Sequence, residues 1–212
     1  MADIVLTGFA PFDGAESNPS WDVAQGVADA WSGPESLEIE QLPVSFGAAA
    51  THMHSLLAAH QPRLVVALGV AAGRTHLTPE RVAINLIDAR IADNDGFAPL
   101  DEEVVPDGPA AYFTTLPVKA MTAAMAAVGA PAQVSYSAGT YVCNALFYAL
   151  QNATAGSSVH SGFIHVPATE EFARAADLPW TALDVQVTAL RDALRTALDS
   201  PVDSSVSAGT EH

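Results

Sequence analysis

The sequence predicts an α/β protein: a single-domain, three-layer α/β/α sandwich with a central, mixed and twisted sheet. Three observations predict it. Apolar β-rich runs alternate with helical patterns along the 212 residues, half of the residues are hydrophobic, and no linker or internal repeat divides the chain. A chain of this length and composition can bury a substantial core as one domain.

The first third of the chain contains three strand patterns and two helix patterns. Apolar runs rich in β-formers predict three strands, at 3–9, 37–44 and 63–70. The third run is unbroken, which is typical of a strand buried on both faces. Asn18 can cap a helix and Pro19 suits a first helical turn, so a helix is predicted over 18–31. An Ala- and His-rich helix is predicted over 46–60.

The same alternation continues to the end of the domain. Further strands are predicted at 78–90, 132–138 and 158–167, and further helices at 118–129 and 141–152. A last helix is predicted from a core-facing stripe of five residues: Leu183, Val187, Leu190, Leu194 and Leu198. The Gly-, Pro- and Asp-rich segment 91–109 is too long for a routine connector, and such loops are often functional.

The charge balance excludes some classes of partner. With 24 acidic and 8 basic side chains, the formal net charge is −16, and Lys119 is the only lysine. Phosphate backbones and anionic membranes are repelled by such a surface, so we expect no nucleic-acid or membrane partner. The acidity is explained by a solvated surface that keeps the protein soluble, or alternatively by a saline cytoplasm.

We expect a cytoplasmic protein with one folded domain over 1–198. No apolar run of about 18 residues and no secretory leader is evident, and a single cysteine cannot form an intramolecular disulfide, which fits a reducing compartment. Residues 199–212 are small and polar without a packing face, and we predict a disordered tail there.

The single cysteine, Cys143, lies in SAGTYVCNALFYAL, between a predicted strand and a predicted helix. A lone cysteine is most often a small buried hydrophobe. Here, however, it falls in the first helical turn at the carboxyl edge of the sheet, where the sites of α/β proteins cluster. Free backbone N–H groups and the helix dipole favour a thiolate there, and Gly139 allows a close approach or unusual backbone angles in the turn. We therefore predict that Cys143 is a nucleophile.

A thiolate that cleaves an amide needs a proton donor for the leaving amine, and histidine is the usual donor. Of the seven histidines, His165 lies in the apolar run GFIHVP, whose end is predicted at the same sheet edge as Cys143. Taken alone, His165 is more simply a hydrogen-bonded core histidine. Paired with Cys143, it is the candidate base and acid.

A third group should orient the imidazole. Glu80 lies on the apolar segment LTPERVAIN, where a bare carboxylate is costly without a partner. A simpler interpretation is that Glu80 pairs with Arg81 or caps a strand end. Asp93, in the loop ADNDG, competes for the orienting role, and the sequence leaves the choice between the two acids open.

These segments resemble the pyrrolidone-carboxylate peptidase (pyroglutamyl peptidase type I) family of cytoplasmic cysteine peptidases. Five motifs occur in the family's order between residues 4 and 167: VLTGFAPFDGAESNPSW, GRTHLTPERVAIN, DARIADNDG, SAGTYVCNALFYAL and FIHVP. The resemblance implies that the protein removes N-terminal pyroglutamate from peptides through a thioester acyl-enzyme. It also implies that no cofactor is needed and that the protein is a homo-oligomer, because the family tends to tetramers.

The resemblance also implies roles for individual residues. The nucleophile falls on Cys143, the general base and acid on His165, and the orienting acid on Glu80. Asp93 matches another acid discussed for the family, and Arg90 matches an arginine near the oxyanion site.

Five residues are expected to bind the substrate: Phe9, Phe12, Asn18, Val70 and Val142. Without the resemblance, Phe9 and Phe12 would be interpreted as aromatic side chains that cover the hydrophobic core. Two positions depart from the family pattern, because Val70 stands where many bacterial members have a polar residue and Ala92 replaces the proline usual before DN. Neither departure removes a catalytic group, so both bear on affinity rather than on the type of reaction.

Two other functions fit the sequence less well. An inert relative would keep the pocket and bind pyroglutamyl ligands without turnover, but the intact set of Cys143, His165 and Glu80 argues against it. A nucleoside phosphorylase would need a phosphate-binding loop, which GVAAGR does not match. No metal site is expected, because one cysteine and scattered histidines offer no closed ligand set.

Overall fold

The computed structural model describes residues 1–174, 177–200 and 202–209. The strands in these ranges are β1 (Ile4–Phe9), β2 (Leu37–Leu42), β3 (Leu64–Val70), β4 (Thr78–Pro79), β5 (Val82–Ile84), β6 (Ala111–Phe113) and β7 (His160–Val166). The helices are α1 (Pro19–Ala30), α2 (Phe46–His60), α3 (Val118–Ala127), α4 (Val142–Thr154), α5 (Glu170–Arg174) and α6 (Leu183–Asp199).

The large sheet has the strand order β2-β1-β3-β7-β4. Its first four strands are parallel, whereas β4 runs antiparallel to β7. The predicted mixed sheet is therefore confirmed. Because β1, β3 and β7 are parallel, their carboxyl ends lie at the same edge of the sheet. The crossovers between parallel strands are long, and helices provide them.

Helices cover both faces of this sheet. Successive side chains of a strand point to opposite faces, and in β1 this places Ile4 and Leu6 in one apolar cluster and Val5 in another. The first cluster includes buried residues of α1, α3 and α6, and the second includes buried residues of α2 and α4. The three-layer sandwich predicted from the sequence is thus confirmed.

The segment 132–138 is not the strand that the sequence predicts. It forms two isolated bridges, at Ala132 and Ser135, and no continuous ladder. At these bridges its backbone pairs with the segment 77–81: the Gln133 N–H donates to the Leu77 carbonyl (3.1 Å), and the Ser135 carbonyl accepts the Arg81 N–H (2.7 Å). The pairing ends at Ser135. Consequently α4 follows an irregular segment rather than a strand.

The strand predicted over 78–90 is also broken. It divides into β4 and β5, with Glu80 and Arg81 between them, and β5 leaves the large sheet to pair with β6. The sequence did not predict β6 or α5, because three and five residues are too few to show a period.

The longest helix in the described ranges, α6, packs most of the predicted stripe against the core. Its buried residues are Gln186, Ala189, Leu190, Ala193, Leu194 and Ala197. Leu190 and Leu194 are buried, and Val187 and Leu198 pack against the same cluster, which confirms the stripe at four positions. Leu183 is 39% exposed, and the prediction is wrong there. The small alanines beside the leucines let α1 and α3 pack closely on this face. No helix in the described ranges is long and apolar enough to cross a membrane.

The C-terminal residues 202–209 continue past α6. The Asp203 carboxylate accepts two N–H groups in the first turn of α3 (2.9 and 3.1 Å) and pairs with Arg81 (3.1 Å). Disorder over 199–212 stays a prediction, and positions 201 and 210–212 lie outside the described residues.

Candidate active site

Cys143 is the second residue of α4, in the first helical turn as predicted. The preceding turn contains Gly139 at φ 78, in the left-handed region, while a Cβ added there would meet nothing within 4 Å. Glycine is therefore required for the backbone angle and not for a close approach. The fully buried Asn144 fixes the start of the helix, because its amide accepts from the Ile84 N–H (3.0 Å) and donates to the Ile84 carbonyl (2.9 Å).

The sulfur of Cys143 lies against the backbone of β3. A Cβ added at Gly69 would be 2.9 Å from the Sγ, so only glycine leaves room for the thiol in this position. In the register of the sheet, Gly69 is the partner of His165 on β7. The helix therefore places the thiol beside the strand pair that carries the imidazole, and both side chains line one cavity.

His165 is held by a buried carboxylate. Its Nδ1 lies 2.7 Å from the Glu80 Oε1, and Glu80 is fully buried. The antiparallel strand β4 brings the two together, since Thr78 is the register partner of His165 and Glu80 follows two residues later. An ionised carboxylate can only accept, so Nδ1 carries the hydrogen and Nε2 is left to act as the base.

The same carboxylate oxygen also contacts Arg74, which sequence reasoning missed. The Arg74 Nη1 donates to the Glu80 Oε1 at 2.8 Å. The alternative pairing of Glu80 with Arg81 is wrong, because Arg81 pairs with Asp203. A signal was present in GRTHLTPE: a buried acid needs a cation, and Arg74 lies six residues before it.

Asp93 is buried but does not contact the imidazole. Its Oδ2 accepts the Phe46 N–H (3.0 Å), and its Oδ1 accepts the N–H groups of Asp95 (3.0 Å) and Phe97 (2.9 Å). These bonds attach the loop to the first residue of α2. Of the two acids that the sequence left open, Glu80 is the one placed to orient His165.

A cavity of about 190 Å³ opens at Cys143 and His165. Its other lining residues are Phe9, Phe12, Asn18, Val44, Val70, Ala138, Tyr141 and Val142. All five residues predicted for the substrate pocket are among them, and their roles in binding stay predictions. Sequence reasoning missed Tyr141, although its position two residues before Cys143 is a signal for a pocket wall.

Asn18 fixes the turn that carries the two phenylalanines. Its Oδ1 caps α1 by accepting the Ser20 N–H (3.1 Å), and its Nδ2 donates to the Ala10 carbonyl (3.0 Å). The Ser20 Oγ in turn accepts the Phe9 N–H (2.9 Å). The capping bonds of α1 thus position both Phe9 and Phe12 at the cavity.

Arg90 lies outside this cavity. It is exposed and lines a neighbouring depression that shares Phe12 and Tyr141 with the cavity. Its predicted position near the oxyanion stays a prediction.

The sequence and the fold are both similar to those of known peptidases. A family model described as pyroglutamyl peptidase matches residues 2–200. The chain belongs to the pyroglutamyl peptidase family. The pyrrolidone-carboxylate peptidase of Bacillus subtilis is 46% identical over 99% of this chain and 98% of its own length. That of Clavibacter michiganensis is 45% identical over 99% of both chains.

Solved structures of the pyroglutamyl peptidase family share the fold. Pyroglutamyl peptidase I from Bacillus amyloliquefaciens superimposes with a TM-score of 0.93 at 40% identity, over 97% of this chain and 99% of its own. Pyrrolidone carboxyl peptidase from Pyrococcus furiosus does so with a TM-score of 0.88 at 35% identity, over 94% and 99% of the two chains. The predicted family and fold class are therefore confirmed.

In this member of the pyroglutamyl peptidase family, the free thiol holds its proton tightly. Burial in the apolar slot, and then the negative charge of Glu80, raise the pKa of Cys143 to about 12, although the Arg74 charge and the Cys143 backbone N–H lower it. The helix start favours the thiolate, as expected, and the Arg74 charge does too, but in the free protein desolvation has the larger effect on this pKa.

The described part of the chain has no group of three or more His, Cys, Asp or Glu side chains placed to hold a metal ion. Glu80 and His165 do meet, but the cation beside them is the Arg74 guanidinium. The chemistry available at this site is that of a thiol, an imidazole and a carboxylate.

Proposed function

We propose that the protein is a cysteine peptidase that removes N-terminal pyroglutamate from peptides. The observation that carries the proposal is the cavity itself. One wall presents Cys143 from the first turn of α4, and the other presents His165, whose Nδ1 is bonded to the buried Glu80. A nucleophile, a base and an orienting acid in this order form a catalytic triad.

The reaction begins when the Cys143 Sγ attacks the carbonyl carbon of the pyroglutamyl residue. The thiol proton passes to the His165 Nε2 as the carbon–sulfur bond forms. The tetrahedral intermediate then collapses, the carbon–nitrogen bond breaks, and the leaving amine takes the proton from His165. A pyroglutamyl thioester remains on Cys143.

Water completes the cycle. His165 takes a proton from the water as its oxygen attacks the thioester carbon. The carbon–sulfur bond breaks, free pyroglutamate leaves, and the proton returns from His165 to the sulfur. Backbone N–H groups in the first turn of α4 have no intrahelical partner and lie beside the Sγ, so they are the natural donors to the oxyanion.

The size and polarity of the cavity suit a small neutral ring. Its volume of about 190 Å³ is well below that of most sites for drug-sized ligands. Phe9 and Phe12 supply apolar faces for a flat lactam. The amide of Asn18 has two N–H groups and gives one to Ala10, which leaves the other for the edge of the ring.

The same cavity excludes an uncyclised N-terminus. A glutaminyl or glutamyl residue would bring an ammonium group into the apolar slot, where an unpaired charge costs several kcal/mol. Prolyl amides lack the ring carbonyl and would leave a polar partner unsatisfied, at a cost of about 1–3 kcal/mol.

The test is hydrolysis of four amides of one chromogenic amine: pyroglutamyl, prolyl, glutaminyl and glutamyl. We expect rapid cleavage of the first, much slower cleavage of the second, and none of the other two. Similar kcat/KM values for the pyroglutamyl and glutaminyl amides would contradict the assignment of the pocket. Tight binding of pyroglutamate without turnover of any amide would instead identify an inert binding protein.

We also infer a cytoplasmic homotetramer that binds neither nucleic acid nor membranes. The net charge of −16 disfavours anionic partners, and the family resemblance favours the tetramer. Exposed Phe97, Leu100 (74%) and Phe113 (73%) are suitable contacts between subunits. Sedimentation of the protein and of Leu100→Asp should show a tetramer and a smaller species, respectively. A monomeric wild-type protein would contradict this.

A further inference from the structure

We propose that Arg74 is a positioning residue of the peptidase reaction: it keeps the buried Glu80 carboxylate ionised and ties the Glu80–His165 pair to the turn before the Cys143 helix. The inference deepens the proposed function and rests on it. Arg74 does not line the cavity, so it acts through these groups and not on the substrate.

The guanidinium joins two parts of the site. Its Nη1 donates to the Glu80 Oε1 and to the Thr78 Oγ1, both at 2.8 Å. Its Nη2 donates to the Ser137 carbonyl at 3.2 Å. Ser137 belongs to the irregular segment that leads into α4, so one planar group connects the segment that carries Glu80 with the segment that positions Cys143. A planar fork of donors suits this double contact, whereas a single ammonium does not.

The charge of Arg74 is needed because of how Glu80 is buried. Glu80 is fully buried, and its Oε1 accepts hydrogen bonds from both His165 and Arg74. Its Oε2 has no partner in the described part of the chain. Without Arg74 the carboxylate would face only an imidazole, and a buried charge without a counter-ion is neutralised by taking up a proton.

The extra proton stops the reaction whether it binds to Glu80 or to His165. On Glu80, it removes the acceptor that holds the Nδ1 hydrogen and fixes the orientation of the ring. On His165, it fills the Nε2 position that must accept the Cys143 proton. The cation therefore keeps the imidazole both neutral and oriented before attack.

Arg74 also acts on the sulfur through its charge. The Glu80 carboxylate raises the pKa of the Cys143 thiol, and the Arg74 guanidinium lowers it. The other ionisable groups near the network are Tyr141 on the cavity wall and Tyr136 in the depression that Arg74 lines. Arg81 follows Glu80 in the chain but pairs with Asp203, which makes it a matched control.

The experiment compares Arg74→Gln, Arg74→Lys and the control Arg81→Gln. Two properties are measured: kcat and KM for a pyroglutamyl amide, and the pH dependence of Cys143 alkylation by iodoacetamide. We expect Arg74→Gln to lower kcat about 100-fold, as misplaced catalytic groups do, with KM within about threefold. Its alkylation profile should move to lower pH, because the neutralised Glu80 no longer raises the pKa of the thiol, and that effect is larger than the effect of the lost cation.

The lysine variant separates charge from geometry. Arg74→Lys keeps the cation, so its alkylation profile should coincide with that of the wild-type protein, while kcat falls about tenfold because the contact to Ser137 is lost. Arg81→Gln should match the wild-type protein in both properties. A purely structural role predicts instead that both Arg74 variants alkylate alike, and that result would overturn the proposal. So would an Arg74→Gln variant with kcat within threefold of the wild-type value.

If Arg74→Gln alone does not fold, Arg74→Gln is combined with Glu80→Gln in a double variant, which has no buried carboxylate left without a counter-ion. The double variant should fold and should alkylate at higher pH than Glu80→Gln; an identical profile, or failure to fold, would overturn the proposal. Alkylation needs no turnover. A wild-type protein that cleaves no pyroglutamyl amide would therefore refute the proposed function while the alkylation profiles still test Arg74.

Discussion

Two buried carboxylates, Glu80 between β4 and β5 and Asp93 in the 91–109 loop, are bound in different ways. Asp93 accepts three backbone N–H groups, one at the start of α2 and two within its own loop. Glu80 uses one oxygen for two ionisable side chains, His165 and Arg74, and its other oxygen has no partner in the residues described. Their burial is similar, but their partners are not.

The difference separates a structural acid from a reactive one. Backbone N–H groups do not titrate, so the bonds of Asp93 hold a loop and are the same in every step of a reaction. Side-chain partners that gain and lose protons make the bonds of Glu80 sensitive to the state of the site. Burial alone therefore does not identify the catalytic acid, and its hydrogen-bond partners do.

The largest effect that tests this comparison is expected from Glu80→Gln. An amide at this position cannot stabilise the imidazolium and favours the wrong tautomer, which in serine proteases lowers kcat about 10⁴-fold. We expect kcat for a pyroglutamyl amide to fall at least about 1,000-fold, with the circular dichroism spectrum unchanged. A loss of less than tenfold would show that Glu80 does not orient His165.

Asp93→Asn should instead affect stability. An amide NH₂ facing a backbone N–H leaves a buried donor unpaired, and we expect the free energy of unfolding to fall by about 1–3 kcal/mol. Urea unfolding measures this, and kcat should stay within about tenfold of the wild-type value. Asp95→Asn is the control, because Asp95 is exposed and accepts from the Ser45 hydroxyl. If Asp93→Asn lost as much kcat as Glu80→Gln, the two acids would not differ in the way described.

The thiol itself provides a smaller, more specific difference. The Glu80 charge raises the pKa of Cys143, whereas Asp93 has no such effect on it. Removing the charge should lower that pKa, so Glu80→Gln should alkylate several-fold faster than the wild-type protein at pH near 8, even though it turns over more slowly. Asp93→Asn should alkylate at the wild-type rate. Equal acceleration in both variants would contradict the comparison.

The smallest effect concerns stability at high pH. The folded thiol has a pKa of about 12, above the ordinary value of 9.0, so the folded state keeps this proton where the unfolded state loses it. The contribution is fully present below pH 9 and is lost as the pH rises towards 12. Between pH 9 and 10, the free energy of unfolding should therefore fall more steeply for the wild-type protein than for Cys143→Ser. Parallel curves would contradict the raised pKa.

Long, unbroken apolar patterns made the central fold predictable. Strands β1, β3 and β7 are buried on both faces, and such strands leave a signal that needs no knowledge of the rest of the chain. The segment 132–138 is short and alternates apolar with polar residues, and its backbone pairs with 77–81 at two isolated bridges only. A short alternating pattern predicts that a segment pairs, but it does not predict over how many residues the pairing extends.

The nucleophile and the base were predictable for a similar local reason. Cys143 begins a helix after a glycine turn, and His165 ends an apolar strand, so both positions follow from neighbouring residues. Glu80 was a candidate for the orienting acid, but the residues alone did not decide between it and Asp93, because Glu80 reaches His165 through an antiparallel pairing across 85 residues. The choice of Arg74 over the adjacent Arg81 likewise depends on how the chain turns after β3.

The central claim is that Cys143 carries the acyl group, and mass spectrometry of acid-quenched protein during turnover of a pyroglutamyl amide tests it most directly. The wild-type protein should carry a pyroglutamyl adduct on the peptide that contains Cys143. Cys143→Ser should keep its fold and lose kcat by about 10⁴-fold or more. It should form no pyroglutamyl adduct in the time in which the wild-type protein forms one. An adduct on another residue, or full activity of Cys143→Ser, would contradict the account.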